Sequence, residues 1–173
     1  RELADGGVTD ARIEAEVLLR HALGVDRGGL YTALRQRLPA PDEGTANLLL
    51  GRRLAGEPLA YLVGHREFYG LDFIVEPGVL IPRQETELLV DTALELAAGR
   101  DEEEVRIADV GTGSGAIAVA IATQLPRARV YATDVSEAAL RVAAANVRRH
   151  GVSDTVSLCS GDLLAALPEA VDV

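Results

Sequence analysis

From Val105 onward, short apolar segments alternate with helical ones, and this alternation is what most constrains the fold. The apolar segments are "VRIADV" (105–110), "RARVYATD" (127–134) and "TVSLCSGD" (155–162). The segments between them, "AIAVAIATQL" and "SEAALRVAAANVRRHG", have helical composition. Strands that alternate with helices predict a parallel sheet built from βαβ units. Ligands of such sheets lie at the carboxyl ends of the strands, where Asp109, Asp134 and Asp162 fall.

The first 65 residues have a different pattern, which predicts a small bundle of helices. In "TDARIEAEVLLRHAL" (9–23) apolar residues recur at helical spacing, with Thr9 as a plausible N-cap and Gly24 as the stop. Two more helical patterns end at Pro39 and Gly56, and "PLAYLVG" predicts a short turn of helix. We find nothing catalytic in this part.

Residues 66–83, "REFYGLDFIVEPGVLIPR", place aromatic and β-branched residues around Gly70 and Pro77-Gly78, which predicts a β-hairpin. An amphipathic helix ending at Gly99 and a solvated acidic loop over 101–104 follow. We therefore expect an α/β protein with three parts: a helical domain (1–65), a β-hairpin linker (66–83) and the first part of a Rossmann-like domain (84–173).

Composition limits the partners. The 173-residue chain has 17 basic and 27 acidic residues and a formal net charge of −10, so it should repel a phosphate backbone. The pairs Arg52-Arg53 and Arg148-Arg149 fit solvated helix surfaces. No apolar run is long enough for a membrane span. The single cysteine, Cys159, cannot form an internal disulfide, so we expect a cytoplasmic protein.

The segment Gly111-Thr112-Gly113-Ser114-Gly115-Ala116 fits the relaxed dinucleotide-binding pattern. A tight turn with no ligand is the alternative. Asp134 ends the next strand, where a carboxylate can accept hydrogen bonds from both hydroxyls of a ribose. Sites for NAD and for S-adenosylmethionine share that feature, so it supports a nucleoside ligand without choosing between the two.

Asp109 favours S-adenosylmethionine. It lies two residues before the first glycine, where the pyrophosphate of NAD would meet its negative charge, whereas an ammonium and a sulfonium would be stabilised there. Asp162 could accept a hydrogen bond from an adenine amino group, with Leu163 beside the ring, or could cap the following helix. The cap alternative is weaker for Asp134, because Ser136 is available as the cap. No metal ligand set is evident, and His21, His65 and His150 fit structural positions.

On four segments the sequence resembles the release-factor glutamine N5-methyltransferases (the HemK/PrmC family), which are class I enzymes dependent on S-adenosylmethionine. Those segments are "DARIEAEVLLRHALG", "GEPLAYLVG", "EFYGLDFIVEPGVLIPRQETELLV" and "ADVGTGSGAIAVAIA". The resemblance implies that the helical domain docks the substrate and that the hairpin is a linker. It implies transfer of a methyl group to the side-chain amide of the glutamine in the Gly-Gly-Gln motif of the peptide-chain release factors of translation termination.

The resemblance also assigns site residues. Gly111, Thr112, Gly113, Ser114 and Gly115 would line the methionine part of the cofactor, beside Asp109. Asp134 would bind the ribose, and Asp162 with Leu163 would flank the adenine. The loop "LIPRQETE" (80–87) would form a wall of the cofactor and glutamine pocket, with Leu80, Arg83, Glu85 and Thr86. For Glu85 and Thr86, capping of the next helix is an equal alternative.

This sequence departs from the family in two places. Gln84 stands where the family usually has proline, which should loosen the turn. The catalytic Asn-Pro-Pro-Tyr motif, whose asparagine and backbone would orient the glutamine amide, is absent. "AVDV" has the pattern of the strand before it, so we expect the motif just beyond Val173 and expect the present chain to be inactive.

Three alternatives stay open. The first is an N-methyltransferase acting on a nucleobase amine of DNA or ribosomal RNA, which the acidic charge disfavours. The second is a non-catalytic protein that binds a partner through its helices and has a vestigial nucleotide fold. An NAD-dependent oxidoreductase is the third and the weakest.

Overall fold

The computed structural model describes residues 1–33, 39–99 and 104–173, which form two compact units, Arg1–Gly64 and His65–Val173. The first unit contains the helices α1 (Glu2–Asp5), α2 (Ala11–Leu23), α3 (Arg27–Ala33), α4 (Ala40–Leu54) and α5 (Leu59–Val63). In order, the second contains strands β1 (His65–Phe68) and β2 (Leu71–Ile74), helix α6 (Glu87–Ala98), strand β3 (Val105–Val110), helix α7 (Ala116–Gln124), strand β4 (Ala128–Asp134), helix α8 (Glu137–Arg149) and strand β5 (Val156–Ser160). Short 3-10 helices cover Gln84–Thr86 and Leu163–Ala166.

The first unit is the helical bundle that the sequence predicts. Its core is formed by the buried side chains of Leu3, Leu18, Leu49, Leu62 and Val63. Helix α2 ends at Gly24 as predicted, and this glycine has a left-handed φ of 62°. The predicted cap at Thr9 is wrong: α2 begins at Ala11, with Asp10 at the cap position and no side-chain cap bond.

The predicted helix that runs to Pro39 is described only in its first part, as α3, because residues 34–38 lie outside the described residues. The predicted loop over 101–104 likewise lies outside them except for Glu104, which is exposed. Within the described ranges, no helix is long and apolar enough to cross a membrane.

The predicted hairpin forms, but it is shorter than residues 66–83. Strands β1 and β2 pair antiparallel from His65–Ile74 to Phe68–Leu71. Tyr69 and Gly70 connect them with φ angles of 53° and 73°, as a two-residue type I′ turn requires. Residues 75–83 are not a strand, and Pro77 and Pro82, which have no N–H to donate, explain why pairing stops. Phe68 and Phe73 are fully buried in the core of the second unit.

The second unit is built on the parallel sheet that the sequence predicts, in the order β3-β4-β5. Helix α7 is buried over most of its length, which agrees with its almost wholly apolar sequence. Near the end of the chain, the Asp172 N–H donates to the Arg106 carbonyl at 2.7 Å and the Ala108 N–H to the Val173 carbonyl at 2.9 Å. The segment "AVDV", predicted to be the start of a strand, is not a strand in the structure, but its last two residues bond to the backbone of β3.

Candidate functional site

The carboxyl ends of the three parallel strands meet at one edge of the sheet. The Gly111 and Thr112 N–H groups donate to the Thr133 carbonyl at 2.8 and 2.9 Å, so the loop after β3 rests on the end of β4. The Gly161 N–H donates to the Asp134 carbonyl at 3.1 Å, so the loop after β5 rests there too. This geometry brings the loops that carry Asp109, Asp134 and Asp162 together.

Asp109 lies beneath the glycine loop rather than on its surface. It is 8% exposed, and its Oδ2 accepts hydrogen bonds from the Thr112 hydroxyl at 2.6 Å and from the Ala118 N–H at 3.2 Å. The second bond satisfies a free amide in the first turn of α7, where the helix dipole favours a negative charge. Burial raises the pKa of the Asp109 carboxyl, the two hydrogen bonds lower it, and the charge of Asp134 raises it further, for a net rise.

Asp134 is bonded to the backbone on both sides. Its Oδ2 accepts from the Gly113 N–H at 3.0 Å and its Oδ1 from the Ser136 N–H at 2.9 Å. A carboxylate has about four acceptor positions, so two backbone bonds leave capacity for two ribose hydroxyls. Ser136 is the cap of α8, as the sequence predicts, because its hydroxyl accepts from the Ala139 N–H at 3.2 Å.

Most backbone N–H groups of the glycine loop are hydrogen-bonded within the protein. Besides the bonds of Gly111, Thr112 and Gly113, the Gly115 N–H donates to the Thr112 carbonyl at 2.8 Å. A pyrophosphate-binding turn needs free backbone N–H groups aimed at the ligand. Four of these donors are already used here, so the loop is poorly suited to the pyrophosphate of NAD.

Gly115 is required by its surroundings. It has a φ of 80°, and a Cβ at this position would lie 3.1 Å from the Ala143 Cβ and 3.2 Å from its Cα. A larger residue would be strained in this conformation and would push helix α8 away from the loop. The loop is therefore held from below by Asp109 and from behind by α8.

The predicted pocket loop lines a cavity together with the glycine turn. The lining residues are Leu80, Pro82, Arg83, Thr86, Gly111, Thr112, Gly113, Ser114, Ala116 and Ile117. Glu85 and Gly115 are not among them, nor are the three aspartates and Leu163. Thr86 stands at the first position before α6 without a side-chain cap bond, so its predicted capping role is not formed.

Leu163 lies at the third strand end in a conformation that is rare for its residue type. Its φ is 48°, its side chain is 63% exposed, and its carbonyl accepts from the Thr133 hydroxyl at 3.4 Å. Asp162 precedes the 3-10 helix but makes no side-chain cap bond, so the capping alternative for it is not formed. Val110 and Val135 at the two neighbouring strand ends are also exposed. This edge therefore offers apolar surface beside its carboxylates.

Asn146, which lies on α8 and is fully buried, was not predicted from the sequence. Its Oδ1 accepts from the Ile74 N–H at 2.8 Å, and its Nδ2 donates to the carbonyls of Ile74 at 2.9 Å and Ser114 at 2.8 Å. A signal was available: Asn146 continues the buried stripe of Ala139, Val142 and Ala143, and a polar residue on an apolar helix face requires buried partners.

The donor set fits S-adenosylmethionine. Two carboxylates are close enough for the charge of one to raise the pKa of the other, so the edge favours a cationic ligand. The exposed apolar side chains suit an adenine ring, and Asp134 suits a ribose. Among the residues that the structure describes, no group of three or more His, Cys, Asp or Glu side chains could hold a metal ion.

The helical part and the sheet part of the chain match different protein families. Residues 1–64 match the PrmC N-terminal domain, and residues 82–173 match the Methyltransferase small domain. The methyltransferase domain indicates S-adenosylmethionine as the methyl donor, in agreement with the chemistry of the site.

Curated relatives of this chain carry the name release factor glutamine methyltransferase, including the following three. The one from Moorella thermoacetica is 52% identical over 96% of this chain and 58% of that protein. The relative from Geobacter sulfurreducens is 44% identical over 95% of this chain and 56% of that protein. The relative from Bordetella pertussis is 48% identical over 96% of this chain and 59% of that protein. The chain thus spans between 56% and 59% of the length of these relatives.

Solved structures give the same fold class. One METTL16 MTase domain (crystal form 2) aligns with a TM-score of 0.50 at 25% identity, over 70% of this chain and 48% of that chain. The delta-N METTL16 MTase domain also aligns with a TM-score of 0.50, at 26% identity over 62% of this chain and 51% of that chain. The predicted α/β methyltransferase fold is confirmed. The chain belongs to the methyltransferase small domain family, and it joins that domain to a PrmC N-terminal domain.

Proposed function

We propose that the protein to which this chain belongs transfers a methyl group from S-adenosylmethionine to the side-chain amide nitrogen of a glutamine in peptide-chain release factors, in the cytoplasm. The names of the relatives support the substrate. One observation carries the cofactor assignment. The loop at the carboxyl edge is backed by two carboxylates, Asp109 and Asp134, and has four of its amide donors already bonded internally.

The residues of this chain would hold the cofactor at three points. Asp134 accepts hydrogen bonds from the ribose, and Asp162 from the adenine amino group with Leu163 against the ring. The turn from Gly111 to Gly115 holds the methionine part, and Asp109 supplies negative charge beneath it. When bound, S-adenosylmethionine supplies an electrophilic methyl group on a sulfonium.

The loop that carries Leu80, Arg83, Glu85 and Thr86 would form the glutamine side of the pocket. A glutamine amide nitrogen is a poor nucleophile, because its lone pair is delocalised into the carbonyl. Positioning and electrostatic stabilisation are therefore the main contributions that we expect from the protein. The lining of the cavity by Leu80, Arg83 and Thr86 together with Gly111 and Gly113 supports this arrangement.

The experiment that tests this proposal combines binding and activity. Calorimetry on the purified chain should detect S-adenosylhomocysteine and no NADH. The Asp134→Ala variant should lose at least about tenfold in affinity, because charge-assisted hydrogen bonds to the ribose are removed. Asp154→Ala, which removes an exposed carboxylate of the same unit, is the charge-matched control.

The whole protein should then methylate a release factor on glutamine, as mass spectrometry of the tryptic peptide would detect. Cofactor binding without methylation of release factors would remove the substrate and keep the methyltransferase. Methylation of a nucleobase amine instead would establish the nucleic-acid alternative.

A further inference from the structure

We propose that Asn146 is a positioning residue that couples the β-hairpin to the glycine loop and so sets the distance between the two walls of the cofactor pocket. This inference rests on the proposed function, because it concerns the same pocket. Asn146 touches neither cofactor nor substrate in this arrangement. It acts through the backbone of two segments that are far apart in sequence.

The oxygen and both N–H groups of the Asn146 side-chain amide are hydrogen-bonded to the backbone. Its oxygen accepts from the Ile74 N–H, and the two hydrogens on Nδ2 go to the carbonyls of Ile74 and Ser114. The side chain is fully buried, so water cannot replace any of these bonds. A buried amide whose oxygen and both N–H groups are bonded is a rigid connection, because losing one bond leaves a buried polar group without its partner.

The Asn146 amide connects the glycine loop to the end of β2. Ser114 lines the pocket and is 3% exposed, and its carbonyl lies between Gly113 and Gly115, whose φ angles are 56° and 80°. Ile74 ends β2, six residues before Leu80 (80 − 74), which begins the other wall. A single side chain thus holds one wall directly and the strand that leads into the other.

Helix α8 supports the glycine loop at two positions one helical turn apart. Ala143 packs against Gly115, where an added Cβ would approach it to 3.1 Å, and Asn146 bonds the preceding Ser114. The packing contact limits how near the loop can come to α8, and the hydrogen bond limits how far it can move away. Movement of the hairpin would therefore be transmitted to the loop through Asn146.

A role in stability alone and a role in positioning make different predictions. Asn146→Ala leaves the Ser114 carbonyl and both polar groups of Ile74 without their partner. Val147→Ala is the matched control, because Val147 is the next residue of α8, is 5% exposed, and contacts the same hydrophobic core. Both variants should lower the melting temperature of the chain, since one loses buried hydrogen bonds and the other leaves a small cavity.

The measurement is calorimetric affinity for S-adenosylhomocysteine at a temperature where both variants are folded. We expect Asn146→Ala to bind at least about fivefold more weakly than the wild type, and Val147→Ala to stay within about twofold. Equal affinities in the two variants would overturn the positioning role. A wild-type chain that does not bind S-adenosylhomocysteine would instead overturn the proposed function, and with it this inference.

A second measurement needs no substitution, and so covers the case in which Asn146→Ala does not fold. Hydrogen exchange in the wild-type chain should slow at the Ile74 amide when S-adenosylhomocysteine binds, because a better-ordered loop holds Asn146 more firmly. The Tyr131 amide in β4 is the internal reference. Binding that slows exchange in the glycine loop and leaves Ile74 unchanged would show that the two walls are not coupled.

Discussion

The Asp109 carboxyl is buried, so its ionised form is less favourable in the folded protein than in water. Because its pKa is raised by burial, the carboxyl contributes stability that is fully present below its unfolded pKa and lost as the pH rises through the folded value. A cofactor that brings positive charge would compensate for this cost. If the proposed function is correct, Asp109 would favour cofactor binding at the expense of the stability of the free protein.

Asp109→Asn tests that conclusion. The amide oxygen can still accept from Thr112 and Ala118, so we expect the variant to be at least as stable as the wild type at pH 7. The advantage should shrink on acidification and disappear below the ordinary aspartate pKa of about 3.9. Urea unfolding between about pH 3 and pH 8 would measure the difference in unfolding free energy between the variant and the wild type. If Asp109→Asn is less stable than the wild type at pH 7, burial of the charge does not cost stability. We also expect Asp109→Asn to bind S-adenosylhomocysteine more weakly than the wild type.

Gly115→Ala should destabilise the second unit through two separate costs. One is the left-handed φ of 80°, and the other is the contact with Ala143. Gly151→Ala is the control, because Gly151 has a φ of 68° and nothing within 4 Å of an added Cβ. We expect Gly115→Ala to cost about 1–3 kcal/mol more than Gly151→Ala in unfolding free energy. If the two substitutions lower the unfolding free energy equally, helix α8 must move at Ala143 and relieve the contact.

At the scale of elements, a half-buried ion pair joins two helices of the first unit. Arg53 on α4 bonds Glu14 on α2 through two nitrogens, with N···O distances of 2.5 and 3.2 Å, and the two side chains are only 20% and 17% exposed. The hydrogen bond to Glu14 raises the pKa of Arg53. The pair fixes how α2 and α4 pack.

Glu14→Gln should lower the unfolding free energy of the helical unit by about 1 kcal/mol, because a partly buried guanidinium loses its charged partner. Thermal unfolding followed by circular dichroism would measure it. The exposed pair Arg52–Glu57 provides the comparison, and Glu57→Gln should cost clearly less. If the two substitutions cost the same, burial of the Arg53–Glu14 pair has no role in its strength.

At the scale of the whole molecule, charge argues against a nucleic-acid partner. The net charge is −10, and several arginines are already paired with carboxylates: Arg52 with Glu57, Arg53 with Glu14, Arg106 with Asp172 and Glu169, and Arg149 with Asp72. Both arginines of the Arg52-Arg53 pair therefore form ion pairs with carboxylates, and so does Arg149 of the Arg148-Arg149 pair.

We therefore expect no binding of duplex DNA or of structured RNA at physiological salt, where non-specific affinity depends on neutralising phosphates. An electrophoretic shift assay with the purified chain at micromolar concentration would test this expectation. A salt-dependent shift at that concentration would favour the alternative that the protein is a nucleobase methyltransferase.

Local signals made most of this fold predictable. The strands from Val105 onward, the stop at Gly24 and the cap at Ser136 are each determined by neighbouring residues, and so could be read from the sequence. Asn146 could not be assigned a role in this way, because its partners are 72 and 32 residues away. Asp109 could be placed at a strand end, but its bond from the Ala118 N–H depends on how α7 packs against β3 and so could not be predicted. Hydrogen bonds between residues far apart in the chain produce no periodic pattern in the sequence.

The pairing of residues 172 and 173 with β3 has a consequence for biosynthesis. Arg106 receives its partner Asp172 from 66 residues further along the chain. At translation rates of 5–20 residues per second, the edge of β3 waits unpaired for roughly 3–13 s after its own synthesis. Arg106, a charged side chain on that edge, discourages another nascent chain from pairing there in the meantime. We therefore expect Arg106 to disfavour aggregation of the growing chain before it binds Asp172.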